Sequence, residues 1–219
     1  MPQIFRRTAN TLAKVSIFGG FALVGACTWA LGGLYNSDFA TRKGMPPDQP
    51  VPFSHEHHVR ELGLDCRYCH QSVGRGPNAG MPSTEVCMTC HSQLFTNQKM
   101  LAPVRDSWVT GQPIHWTRVT NLPDYVYFDH RVHIAKGVSC FTCHGPVDRM
   151  PLTYKAHAMQ MSFCIECHRH PEKYLRPASQ VTNPDYMPPE AQQAFGRMLA
   201  TRYHLKPVSK LTSCSTCHH

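Results

Sequence analysis

Ten of the 11 cysteines fall into five Cys-x-x-Cys pairs, and a histidine follows each pair directly. The pairs are Cys66/Cys69, Cys87/Cys90, Cys140/Cys143, Cys164/Cys167 and Cys214/Cys217; the histidines are His70, His91, His144, His168 and His218. Three chemistries use paired cysteines. A disulfide framework explains an even number in an exported protein, but not a fixed two-residue gap or the histidine. A structural zinc site takes such pairs two at a time, or one pair with a distant histidine pair, and needs no histidine after every second cysteine. Covalent c-type haem attachment needs all three features. Histidine makes up 15 of 219 residues, so five histidines in five such positions arise by chance about once in a million chains. Two thiols add to the two haem vinyl groups, and the next residue then lies below the iron, where its imidazole supplies the proximal bond. The expectation is five covalently attached haem c groups, held through ten thioethers and five proximal histidines.

A haem iron takes a sixth ligand or stays open. "FSHEHH" at 53–58 and "FDHRVH" at 128–133 each place F-x-H-x-x-H just ahead of a haem motif. Histidines three apart on a helical turn share one side of the backbone, so they cannot clasp one iron from both faces but can each reach a different haem. His55 and His58 are therefore expected to serve two haems, and His130 and His133 two more. Phe53 and Phe128 are expected to pack on porphyrin. His57 breaks the spacing and is expected on the surface. For the fifth iron, Met161, Met159, His157, His115, His170, His204 and His219 remain candidates. A methionine would raise that haem's potential above the others, although core packing is methionine's ordinary role.

The elements that must hold these residues form an internal duplication. Unit one spans 53–91 and unit two 128–168; each carries F-x-H-x-x-H, then two Cys-x-x-Cys-His motifs. The fifth site, 214–218, closes the chain without a unit of its own. The fold class expected is a multihaem cytochrome c: one N-terminal transmembrane helix, then a mostly coil exported domain (53–219) with short helices around the haems and little β. At about 35 residues per haem and with few long apolar runs, porphyrin rather than side chain should fill the interior, and haem removal should unfold it. "SVGRGPNAGMP" at 72–82 reads as a loop. Ser83 is placed to cap a helix bearing Cys87 and Cys90. "PPEAQQAFGRMLATRYH" at 188–204 reads as an amphipathic helix opened by proline, with Phe195, Met198, Leu199 and Tyr203 on one face and covering a haem edge.

Residues 15–34, "VSIFGGFALVGACTWALGGL", carry no charge. Twenty helical residues span about 30 Å, the depth of a bilayer core. Arg6, Arg7 and Lys14 precede the run and Asp38 follows it, so the positive-inside rule keeps 1–14 cytoplasmic, makes 15–35 the anchor and exports the rest. A cleaved signal peptide has a shorter apolar run, and "VGAC" at 24–27 imitates a lipoprotein site at Cys27, but apolar residues continue beyond it to Leu34. The many glycines would let a partner helix approach closely. A Pro-rich linker, 36–52, follows, with "RKGMPPDQPVP" expected to be stiff and extended. The formal charge of +8 is spread along the chain without a long basic run, which fits propionate pairing and solubility better than nucleic-acid binding.

Taken together, "FSHEHH", "CRYCH", "GMPSTEVCMTCH", "HWTRVTNLPDYVYFDHRVH", "CFTCHGPVDRM", "MSFCIECHR" and "CSTCHH" resemble the membrane-anchored pentahaem cytochrome c subunit of bacterial Alternative Complex III. The likeness covers most of the exported part. It implies electron transfer from a quinol-oxidising complex at the cytoplasmic membrane, through haems on the outer, periplasmic side, to an acceptor such as cytochrome c or a terminal oxidase. The partners it implies are polytopic membrane subunits, an iron–sulfur subunit and a monohaem cytochrome c. It also implies distal roles for His55, His58, His130 and His133, and a ligand role for Met161. The chain departs from the family at Thr120, where many relatives carry histidine. The N-terminal anchor is shared with small stand-alone quinol dehydrogenases that feed periplasmic reductases, which is the alternative function. Catalysis at an open haem is disfavoured, because ten histidines outside the motifs are enough to close every iron.

Overall fold

The computed structural model describes residues 4–218. The chain divides after Lys43 into two compact units.

In the first unit, helix α1 runs from Ala9 to Tyr35 with no residue buried by the protein itself. It is long and apolar enough to cross a membrane, and it starts one to two turns before the uncharged run because Ala, Asn, Thr and Leu continue the helix toward Lys14. Cys27 is exposed within it. Helix α2 (Asp38–Thr41) follows, capped where the Ala40 amide donates to Ser37 Oγ.

The second unit begins at Gly44. The later half of the Pro-rich linker is docked. The Gln49 side chain exchanges two hydrogen bonds with the Thr117 backbone, at 2.8 and 2.9 Å, and Val51 is buried. A primary amide satisfies both backbone groups of an extended residue at once, which an apolar side chain could not do.

Short helices carry the rest. A π-helical turn spans Glu56–Glu61. Then come α3 (Cys66–Cys69), α4 (Thr84–His91), α5 (Ala102–Thr110), α6 (His130–Ala135), α7 (Cys140–His144), α8 (Met161–Arg169), α9 (Gln192–Arg202), α10 (Val208–Leu211) and α11 (Cys214–Cys217). Among the described residues there is no strand; two isolated antiparallel bridges, Val126 to His218 and Val138 to Leu175, tie loops together. Ser83 takes the N-cap position of α4, but its hydroxyl accepts no cap bond. Helix α9 starts at Gln192, later than expected: Ala191 lies outside the helical region at φ −94°, ψ 49°, so the prolines end the preceding loop instead of opening the helix. Its Met198 is exposed, and only Leu199 and Gly196 are buried. A Cβ at Gly196 would collide with the Glu172 carbonyl, so glycine there lets α9 lie directly on the turn Pro171–Lys173.

Among the described residues seven apolar side chains are buried: Val51, Val73, Val104, Met150, Leu175, Val181 and Leu199. At about 2 kcal/mol each, they cannot offset the ordering of so long a chain. The fold therefore needs a further apolar filler.

Candidate haem sites

Each Cys-x-x-Cys-His motif occupies a single helical turn. The His70 amide donates to Cys66 O at 2.9 Å, and the His218 amide to Cys214 O at 2.9 Å. Residues at i, i+3 and i+4 then share one face, so two sulfurs and one imidazole point the same way. The motifs come in two settings. The first motif of each unit opens its own helix and is capped: Asp65 accepts from Arg67 N at 2.8 Å, and Ser139 accepts from Phe141 N at 3.2 Å. The second motif ends a longer helix, α4 or α8. The fifth motif opens α11, like a first motif, with Ser213 at the cap position.

The histidines ahead of the motifs come face to face with the motif histidines. Ring centres are 6.5 Å apart for His55 and His70, 6.3 Å for His58 and His91, 6.4 Å for His130 and His144, and 6.2 Å for His133 and His168. A metal–imidazole bond is about 2 Å and the ligating nitrogen lies about 1.1 Å from the ring centre, so two rings sharing one iron would stand about 6.2 Å apart. All four pairs fit. The planes are nearly parallel in three, at 11°, 4° and 24°, and twisted by 60° between His58 and His91.

Seven of these eight rings are anchored through Nδ1, which leaves Nε2 for the iron. His70 bonds Gly80 O at 2.7 Å, His91 bonds Leu94 O at 3.2 Å and His168 bonds Leu211 O at 2.9 Å. His58 and His133 each bond the carbonyl four residues earlier, of Ser54 and Asp129, both at 2.8 Å. His55 and His130 are tied across the duplication: His55 Nδ1 to Thr153 Oγ1 at 2.8 Å, and His130 Nδ1 to Pro77 O at 2.7 Å. Each unit thus steadies one histidine of the other. Phe53 and Phe128 are expected on porphyrin; the structure wedges them between the histidines. Phe53 stacks on His58 at 4.4 Å and meets His55 edge-on at 4.9 Å, and Phe128 repeats this with His133 and His130 at 4.7 Å each. His57 turns outward to Glu61, 2.6 Å away.

Burial favours the neutral form of four of these imidazoles. It is the main cause that takes His55 and His144 down to about 4, with neighbouring histidines adding to it. His58 and His133 are lowered for the same first reason. A neutral imidazole is the form that binds a metal. Burial also pushes the Cys143 thiol up to about 12 and Cys167 to about 11.

Contacts between motifs give an order in space. Tyr68 in α3 and Thr89 in α4 share a hydrogen bond at 3.0 Å, and Cys69 neighbours Cys87. The Cys66 and Cys140 side chains are neighbours. Cys143 neighbours Cys167, and a cleft of about 300 Å³ lined by both, with Phe163 and Tyr174, lies between α7 and α8. Cys164 neighbours Cys217. Numbered along the chain, the sites run second, first, third, fourth, fifth.

The fifth site differs. Among the described residues no histidine ring faces His218; Tyr125 does, at 5.9 Å and 27°. The Tyr127 amide donates to Cys217 O at 2.7 Å, which clamps "DYVYF" against the terminal motif. Met161 opens α8 one turn before Cys164, on the helix face that approaches Cys217, and its side chain is exposed. Among the described residues, His157 stacks on Phe163 at 4.8 Å, His170 lies 3.7 Å from Glu172, and neither His115 nor His204 makes a ring contact with His218. His219 lies outside the described residues.

All 11 cysteines are unpaired, and among the described residues no three His, Cys, Asp or Glu side chains converge as a zinc site would require. Residues 51–103 match the family described as cytochrome c7 and related cytochrome c, and residues 132–219 match that of cytochrome c3. The multihaem cytochrome c subunit of menaquinone reductase from Nitratidesulfovibrio vulgaris (strain Hildenborough) is 31% identical over 142 residues, covering 55% of this chain and 68% of the relative. The chain is a multihaem cytochrome c. Haem c, bound covalently, supplies this cytochrome with its one-electron chemistry. The polypeptide supplies facing imidazoles, seven of the eight fixed by Nδ1 partners, and the order of the sites. Sequence reasoning misses those Nδ1 partners, since six of the seven are backbone carbonyls that any residue provides.

Proposed function

We propose that this cytochrome is the membrane-anchored electron-transfer subunit of a quinol-oxidising complex of the Alternative Complex III type. It carries five haem c groups, on Cys66/Cys69, Cys87/Cys90, Cys140/Cys143, Cys164/Cys167 and Cys214/Cys217, with His70, His91, His144, His168 and His218 as proximal ligands. His55, His58, His130 and His133 are the distal ligands of the first four, and Met161 of the fifth. Residues 15–35 anchor the chain with its N-terminus in the cytoplasm and the cytochrome domain on the periplasmic side. The observation that carries the reading is the unbroken series of adjacent sites, four of them with histidine rings at iron-sharing distance.

A wire of this kind is useful only between two redox partners. The relative from menaquinone reductase is a subunit of a complex by its own name, and the glycine-rich helix α1 gives this chain a surface for polytopic neighbours. An iron–sulfur subunit and a monohaem cytochrome c complete the assembly, and cytochrome c or a terminal oxidase takes the electrons. The test is gentle detergent extraction followed by subunit identification and quinol addition. Large membrane subunits should copurify, and quinol should reduce the haems. A chain that purifies alone yet is reduced by quinol would instead be a small stand-alone quinol dehydrogenase.

A further inference from the structure

Asp65 and Ser139, the residues just ahead of the first haem motif in each unit, hold equivalent places in the duplication. A single loop grips both. Thr182 Oγ1 donates to Asp65 Oδ2 at 2.8 Å. Next to it, the Val181 carbonyl accepts from Ser139 Oγ at 3.0 Å and from the Cys140 amide at 3.2 Å. Val181 and Thr182 are both buried. Their segment, 176–186, lies outside both units and is closed on itself. The Arg176 guanidinium donates to the carbonyls of Gln180 and Asn183, at 3.4 and 3.1 Å, and lies over the Tyr186 ring, 4.6 Å from its centre. Joined ends and internal packing make it a compact Ω-type loop. Its other contacts also reach both units. Toward 128–168, the Arg176 amide donates to Gly137 O at 3.0 Å. Gly137 sits at φ +79°, and a Cβ there would collide with the Arg176 carbonyl. Toward 53–91, Asp185 accepts from Arg60 at 2.6 Å. The bond from Thr182 ends on a carboxylate, which makes it about twice as strong as one between neutral groups. The loop therefore holds the two units together where Cys66 and Cys140 are neighbours, which is where the series crosses from one unit to the other.

We propose that the loop 176–186 is a spacer that fixes the first haem site against the third, with Val181 and Thr182 as positioning residues for the electron step between the units. The inference rests on the wire reading above. In that step one electron leaves ferrous iron at one site and reduces ferric iron at the other, with no bond made or broken. What the polypeptide sets is the separation and orientation of the two sites. Loosening the loop acts on this step and leaves the steps within each unit as they are.

The test compares Thr182→Val, which keeps the side-chain shape and removes the hydroxyl, with Thr182→Ser, which keeps the hydroxyl. Thr201→Val, whose hydroxyl bonds Arg197 O within α9, is the control. Each is studied as the haem-loaded full chain in detergent. Electron paramagnetic resonance of the oxidised form reads the magnetic coupling between neighbouring irons. Thr182→Val should alter the coupled signal while every iron stays low-spin, and Thr182→Ser and Thr201→Val should match the unaltered chain. In the gently extracted preparation, quinol addition to Thr182→Val should reduce the haems in two phases. Two haems should lie on one side of the break and three on the other, with the later phase slowed at least about threefold. A loss of general stability would give no such two-to-three division. If Thr182→Val fails to load haem, Asp185→Asn, which frees the loop from Arg60, should show the same two effects at smaller size. A coupled signal unchanged in Thr182→Val overturns the proposal, as does an equal change in Thr201→Val, no recovery in Thr182→Ser, or a single reduction phase at the unaltered rate. Quinol that reduces no haem in the unaltered preparation breaks the function proposed above, and the resonance comparison still decides this inference. Quinol reduction with an unchanged coupled signal does the opposite.

Discussion

Four motif histidines face a second histidine, and the fifth faces Tyr125. The first four belong to the duplicated units, in which F-x-H-x-x-H delivers two rings of opposite reach from one turn. The fifth motif has no such segment ahead of it and must take its neighbours from α8 and the "DYVYF" loop. On the proposed ligation, ligand choice is written into local sequence at four sites and left to tertiary packing at one. That allows the last site a different potential without disturbing the others.

Removing the second ring at a paired site should abolish the difference most completely. His130→Ala should leave that iron open, giving a high-spin ferric signal that responds to added cyanide, and His130→Met should raise its potential by on the order of 100 mV. The converse change sharpens the comparison: Met161→His should lower the fifth haem's potential by a similar amount, and Met161→Ala should remove any sulfur-to-iron absorption band. Thr153→Val takes away the one side-chain tether among the four pairs. The first haem should shift by on the order of tens of millivolts, with the third unaffected.

Acid should separate the sites next. His55 and His144 are depressed to about 4 by burial, so their imidazoles stay neutral until the pH falls through 4. Low-spin absorbance from the first and third haems should survive at pH 5. Asp65 gives the smallest effect. Its bonds to Arg67, ahead of those from Thr182, hold it down to about 2. The stability it adds is present above its unfolded value near 3.8 and is lost as pH falls through 2. Being partly exposed, it is worth about 1 kcal/mol after screening. Asp65→Asn should lower the unfolding midpoint at pH 7 and show no further loss at pH 2.

The haem motifs, the duplication and the facing histidines were legible because spacing alone fixes them. The contacts of Phe53 and Phe128 with the histidine rings were not legible, because a residue two before a histidine is turned toward its ring only by the backbone path. The order of the sites was not legible, because Cys66 neighbours Cys140 at a separation of 74 positions. The docking of the linker was not legible either, since composition indicates a stiff, extended segment but not that Gln49 bonds Thr117.

Near-infrared magnetic circular dichroism of the fully oxidised chain tests the four-to-one division most directly, because bis-imidazole and imidazole–thioether irons absorb in separate bands. The account predicts four parts bis-imidazole to one part sulfur-ligated. Five bis-imidazole irons, or two or more irons without a second nitrogen, would contradict it.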